Sequence, residues 1–164
     1  MAAKHRVLVV YYSRTGNTAR VATQIASRLD ADLEEIRELA DRRGALGYLR
    51  AGYDSMRELA SEIAAPQKNP ADYAVLIVGS PVWGWKMTPA VRAYLRRVKN
   101  QIGSVAFFVT SGDTDVAKIA PSMEAVAGLK AIASAGFNAK ELADAARFER
   151  KAEQFAAAIR AGLV

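Results

Sequence analysis

The sequence predicts an α/β fold in which an open, five-stranded parallel sheet carries helices on both faces. Three observations predict it. Short apolar, β-branched or aromatic runs alternate with helical stripes along the whole chain. The strand runs are apolar at successive positions, as in sheets covered on both sides. No internal repeat or low-complexity tract breaks the order β-α-β-α-β-α-β-α-β-α. A length of 164 residues and a 51% hydrophobic content suit one domain over residues 1–164 with one sizeable core.

Arg6–Tyr12 opens the chain as a buried strand, too short for a helix. Ala22, Ile25, Ala26 and Leu29 then recur at helical spacing. Asp32–Arg37 is half charged, as suits an edge strand. Leu49, Tyr53, Met56, Ala60 and Ile63 form a stripe that predicts a helix within Gly44–Ala65, interrupted at Gly52 and closed by Pro66 and Pro70. Tyr73–Gly79 is the most apolar strand and therefore the central one, with Pro81 and Gly84 expected to end it in a loop. Thr88 and Pro89 read as N-cap and first residue of a helix whose buried face is Val91, Tyr94, Leu95 and Val98. Val105–Thr110 is the fourth strand, and a helix over Ala117–Leu129 follows with Ile119, Met123 and Val126 inward. Ala131–Phe137 is a weaker fifth strand. Phe148, Ala152, Phe155 and Ile159 close the chain as an amphipathic helix.

The chain has no cysteine, which removes disulfides, thiolate nucleophiles and cysteine-bound metals, and fits a reducing cytoplasm. The first apolar run is six residues long before Ser13 and Arg14, short for a signal peptide, and no run reaches the ~18 residues of a membrane span. A cytoplasmic protein without a membrane span is expected. The net charge of +6 is dispersed, Arg42, Arg43, Arg50 and Arg57 being the nearest approach to a cluster. Without an accompanying recognition motif it reads as a solvated basic surface, not a nucleic-acid site.

Ligands of open parallel sheets lie beyond the carboxyl ends of the strands, where the winding reverses. Three polar loops fall there: 13–18, 80–86 and 110–115. The first reads Ser13-Arg14-Thr15-Gly16-Asn17-Thr18 between a buried strand and a helix. A helix start offers free N–H groups and partial positive charge, and four short polar side chains exceed the single one a cap requires. Gly16 lets the backbone come close. The pattern points to a phosphate, with Arg14 either pairing with it or facing solvent. The lysine-containing triphosphate loop and the Gly-x-Gly-x-x-Gly dinucleotide loop are both missing. So is the acidic cluster of a receiver domain, since Tyr11, Tyr12 and Gly79 occupy its positions.

Ser-x-Thr-Gly-x-Thr after the first strand resembles the phosphate loop of flavodoxins, which binds the monophosphate of FMN. The resemblance implies a flavodoxin-like three-layer sandwich with strand order 2-1-3-4-5. Pro81, Val82, Trp83 and Gly84 resemble the segment after the third strand that lines the flavin ring. Indoles suit that task, Trp83 as a ring contact and Trp85 as either contact or core filler. Thr110, Ser111, Gly112 and Asp113 resemble the turn that embraces the pyrimidine end, although no aromatic residue stands there to cover the outer face. The implied cofactor is FMN, and no metal ligand or catalytic side chain is assigned. The implied function is electron transfer through FMN to a redox partner protein. The alternative is an NAD(P)H-dependent enzyme moving a hydride to a small acceptor such as a quinone, and a third reading is an interaction module with little or no FMN. Electron-carrier flavodoxins are typically acidic; this basic chain, with its Arg42–Arg57 insert, more resembles uncharacterised members of the family. A monomer or a homodimer is compatible with the sequence. His5, at the opposite end of the first strand, has no assigned role.

Overall fold

The computed structural model describes residues 6–39, 49 and 61–163. Five parallel strands form the sheet: β1 (Val7–Tyr11), β2 (Asp32–Glu35), β3 (Val75–Trp83), β5 (Val105–Ser111) and β6 (Ala131–Asn138). Their order is β2-β1-β3-β5-β6, the expected 2-1-3-4-5 once the short antiparallel strand β4 (Lys86–Met87) is set aside. The helices are α1 (Asn17–Leu29), α2 (Pro89–Val98), α3 (Val116–Ala127), α4 (Ala139–Ala143) and α5 (Ala145–Gly162).

Strand periodicity divides the core in two. Leu8, Val10, Leu76, Val78, Phe107 and Val109 face one side and are covered by α2 and α3 through Val91, Tyr94, Leu95, Ile119 and Met123. Val7, Val9, Val75, Ile77 and Phe108 face the other and are covered by α1 and α5 through Val21, Ile25, Phe148, Phe155 and Ile159. Each such buried Leu, Ile or Phe contributes about 1.5–3 kcal/mol relative to exposure, which fixes the layer order. Thr88 caps α2 by accepting from Val91 N–H, and Pro89 stands at its first position, both as expected. Among the described residues no helix is long and apolar enough to cross a membrane.

Two expectations need correction. The central strand does not end at Gly79 but runs to Trp83, through Pro81. Gly79 turns its carbonyl toward β1, accepting from Tyr12 N–H at 3.2 Å. Pro81, two residues on, faces the same way at a level where β1 has ended, so its missing N–H breaks no ladder bond. The second correction concerns the helix expected within Gly44–Ala65. Its residues 44–48 and 50–60 lie outside the described residues, as do His5 and most of the Arg42–Arg57 segment. Its last residues, 61–65, are extended: Ile63 bridges Glu38, Leu39 N–H donates to Glu62 O, and Ala64 N–H donates to Arg37 O. Pro66 disfavours a helical Ala65, and pairing beside β2 takes the helix's place.

Candidate functional site

The chain leaves β1 for β2 on one side and returns to β3 on the other, so a crevice opens where these strands diverge. There a cleft of about 430 Å³ is bounded by Arg14, Thr15, Asn17 and Thr18 from the first loop, Pro81 and Trp83 from the second, and Thr110, Ser111 and Gly112 from the third. All three loops singled out in the sequence therefore meet at one place. Ala139 and Leu142 of α4 close the remaining side.

The first loop is shaped by Gly16, whose φ of 100° belongs to the left-handed side that L-residues avoid. Nothing lies within 4 Å of where a Cβ would stand, so the glycine serves the backbone and not a tight fit. Ser13 accepts from Gly16 N–H at 3.1 Å and thereby holds the turn. Gly16 is also the N-cap of α1 and brings no capping side chain. The other described α-helices are all capped by side chains: Thr88, Asp115, Asn138 and Asp144. The first turn of α1 thus keeps the N–H groups that an anion can use.

The four short polar residues of this loop are not equivalent. Thr15 and Asn17 are exposed beside the cleft. Ser13 holds the turn through its Oγ and does not line the cleft. Thr18 is buried, and its Oγ1 lies 2.8 Å from Thr110 Oγ1, joining the first loop to the third.

In the second loop Trp83 is half-buried, lines the cleft and packs edge-on against Tyr12, with ring centroids 5.5 Å apart at 85°. Val82 packs against the core, as Trp83 also does, but does not line the cleft. Val82 pairs with Met87 and Trp83 with Lys86, leaving Gly84 and Trp85 as a two-residue hairpin loop. Both have positive φ, 55° and 62°, the pattern of a type I′ turn. Trp85 is 73% exposed at its tip and does not line the cleft, so it fills no core either. Beneath the loop, buried Ser80 Oγ accepts from Thr88 N–H at 3.1 Å and donates to Pro81 O at 2.8 Å.

The third loop closes on itself: Ser111 Oγ accepts from Thr114 N–H and donates to Thr114 O, each at 3.0 Å. Gly112 stays exposed at the cleft, while Asp113 turns into a neighbouring depression with Asp115, Glu141 and Lys151. Helix α4 was not anticipated. Its signal was present as Asn138-x-x-Glu141, a capping box whose two bonds both form at 2.9 Å. Arg20 Nη1 donates to Leu142 O at 2.7 Å, which anchors α4 to α1 beside the cleft.

A flat heteroaromatic ring bearing one phosphate fits this donor set. The glycine-shaped helix start would take the phosphate, the indole one ring edge or face, and the polar turn the carbonyl edge. Among the described residues no carboxylate lines the cleft to oppose an anion.

Sequence and structure comparisons agree with this geometry. The flavodoxin family matches over residues 6–134, and the chain belongs to that family. A flavoprotein from Lactobacillus acidophilus, solved in complex with FMN, is 27% identical, with a TM-score of 0.71 over 85% of this chain and 97% of that one. A WrbA-like flavodoxin from Agrobacterium tumefaciens shares the fold at 13% identity, with a TM-score of 0.61 over 96% of this chain and 98% of that one. The Trp repressor binding protein of Bacillus subtilis shares it at 12% identity, with a TM-score of 0.59 over 92% and 98%. No curated protein matches the sequence.

Proposed function

We propose that this chain binds FMN in the cleft at the carboxyl edge of the sheet and serves as a cytoplasmic electron-transfer protein. The observation that carries the reading is the convergence of the first, second and third loops on one cleft, built around an α1 start with no capping side chain. Family membership and the FMN-bound relative from Lactobacillus support it. When bound, FMN would supply one- and two-electron redox chemistry; the chain supplies binding, orientation and electrostatics.

In this reading the backbone N–H groups of Thr15, Asn17 and Thr18 take the phosphate while Gly16 shapes the turn, with the side chains of Thr15 and Asn17 wrapping the phosphate and Arg14 lending positive charge. Pro81 and Trp83 form one wall for the ring. Thr110, Ser111 and Gly112 meet its polar end, and Leu142 with Ala139 excludes water from the far side. Ser13, Val82, Gly84, Trp85 and Asp113 stay outside direct contact: Ser13 and Gly84 shape turns, Val82 anchors its strand, and Trp85 and Asp113 face solvent near the rim. The basic surface favours an acidic redox partner, whose association would weaken with salt.

A second reading, hydride transfer from NAD(P)H to a quinone-like acceptor, draws on one observation. Among the described residues Trp83 is the one aromatic side chain lining the cleft, so no second ring is in place to cover the outer face of a bound flavin. Anaerobic mixing of FMN-loaded protein with NADH or NADPH separates the two readings. Carrier function predicts slow or no loss of the oxidised-flavin absorbance near ~450 nm. Bleaching within a turnover would establish the reductase.

A further inference from the structure

The buried contact between Thr18 and Thr110 is a direct side-chain hydrogen bond between the proposed phosphate subsite and the proposed ring subsite. Thr18 belongs to the first turn of α1, and Thr110 stands near the end of β5, ninety-two positions along the chain. Their residues are only 2% and 4% exposed, so bulk water does not compete for the 2.8 Å bond. Either hydroxyl can donate in it.

Each hydroxyl has one proton and two acceptor positions. The charged oxygens of a phosphate at the α1 start accept hydrogen bonds, and their field draws the Thr18 proton toward them. The Thr18 oxygen is then left as the acceptor of the pair, and Thr110 must donate to it. With its proton committed, Thr110 presents only lone pairs to the cleft it lines. Without the anion either direction is open, and Thr110 offers a mixture of donor and acceptor.

The geometry points to a hydroxyl relay: the Thr18–Thr110 pair reports phosphate occupancy to the ring subsite and sets Thr110 as an acceptor there. The inference rests on the FMN reading. Its consequence is that phosphate and ring bind cooperatively, and that the ring subsite favours a ligand edge bearing an N–H. Thr18 and Thr110 are positioning residues in this account. Tyr12, which begins the first loop and packs on Trp83, adds an apolar connection that does not depend on proton direction.

Riboflavin and inorganic phosphate, bound separately, expose the coupling. Riboflavin affinity is read from quenching of its fluorescence, without and with saturating phosphate. In the unaltered chain phosphate tightens riboflavin binding about five-fold or more, the lower range of site-to-site coupling. Thr110→Ser keeps that enhancement because the hydroxyl remains. A single valine would strand a buried hydroxyl, so the decisive variant is Thr18→Val with Thr110→Val, which removes both partners at similar volume and preserves the fold. Its riboflavin binding is weaker in absolute terms, because Thr110 lines the ring subsite. The readout is therefore the ratio of affinities with and without saturating phosphate, which falls below about two-fold. An unaltered chain in which phosphate leaves riboflavin affinity unchanged or weakens it would overturn the relay. So would a double-valine variant with the full enhancement. If riboflavin and FMN both bind but uncoupled, only the relay falls; if neither binds, the FMN reading falls and takes the relay with it.

Discussion

Gly79→Ala tests how tightly the central strand is fitted beneath the cleft. A Cβ at residue 79 would stand 2.0 Å from Phe108 Cζ and 2.5 Å from both Cε atoms. Carbon atoms in contact normally sit ~3.5–4 Å apart, so ring or strand must move by about 1.5 Å. Neither has room. Phe108 is fully buried and meets Phe137 and Phe155 edge-on at 6.4 and 6.5 Å. Gly79 is paired to Phe108 across the sheet and holds Tyr12 N–H through its carbonyl. Overpacking of a tight core costs ~1–3 kcal/mol, and this site belongs at the upper end. For a chain of this size ~3 kcal/mol corresponds to a Tm lower by ~6–12 °C. Urea unfolding should show a lower midpoint at unchanged slope. Adding Phe108→Leu, which removes the obstructing ring, should recover at least ~1 kcal/mol relative to the sum of the single changes. A Gly79→Ala chain with an unaltered midpoint, or strictly additive changes, would refute the packing argument.

Gly16→Ala should cost ~1–2 kcal/mol of stability from backbone strain alone, because φ is 100° and the space is open. If the loop instead flips to relieve the strain, the loss moves to FMN affinity; unaltered stability and affinity together would contradict the assignment. Trp83→Ala should weaken FMN binding at least ~10-fold, equal to ~1.4 kcal/mol, by fluorescence titration. Trp85→Gly should leave FMN binding within two-fold and raise stability by ~0.5–1 kcal/mol, since glycine suits a positive φ. Burial, and then the neighbouring Asp32 to which its hydroxyl donates at 2.7 Å, pushes the Tyr73 phenol up from 10.0 to about 12. The unfolded chain therefore loses this proton first, so stability present below pH 10 declines as pH rises toward 12. Tyr73→Phe should flatten that part of the alkaline unfolding curve, and an identical curve would exclude Tyr73 as its source. Asp32 is held below the usual carboxylate range by the Tyr73 hydroxyl first and then by Arg6, so its contribution is lost as pH falls below ~4.

The centre of the parallel sheet was legible because β1, β3 and β5 are buried at consecutive positions and read as apolar runs; the edge strands β2 and β6 alternate in burial and gave weaker patterns. The three loops were legible because they follow strands whose carboxyl ends meet where the winding reverses, and the first stood out because capping one helix does not require Ser13, Thr15, Asn17 and Thr18 together. What local pattern concealed was direction and partnership. Pro81 reads as a strand breaker until β1 is seen to end before it could need the missing N–H. Gly79 reads as a strand terminus, whereas the glycine is required by the Phe108 ring lying against it. Thr18 reads as a phosphate donor, yet its partner Thr110 lies far away in sequence. Helix α4 has only five residues and a helical stripe too short to stand out, although its capping box was in plain view. Trp85 and Asp113 share their loops with Trp83 and Gly112 but point elsewhere, a consequence of the hairpin and the turn rather than of residue type.

The central claim is that one cleft between the three carboxyl-edge loops takes FMN by its phosphate and its ring together. An amide ¹H–¹⁵N correlation spectrum recorded during an FMN titration tests it most directly. The account predicts saturation at one equivalent, with the largest shifts in residues 14–18, 82–84, 110–112 and 139–142. Shifts centred elsewhere, or a spectrum indifferent to FMN, would contradict it.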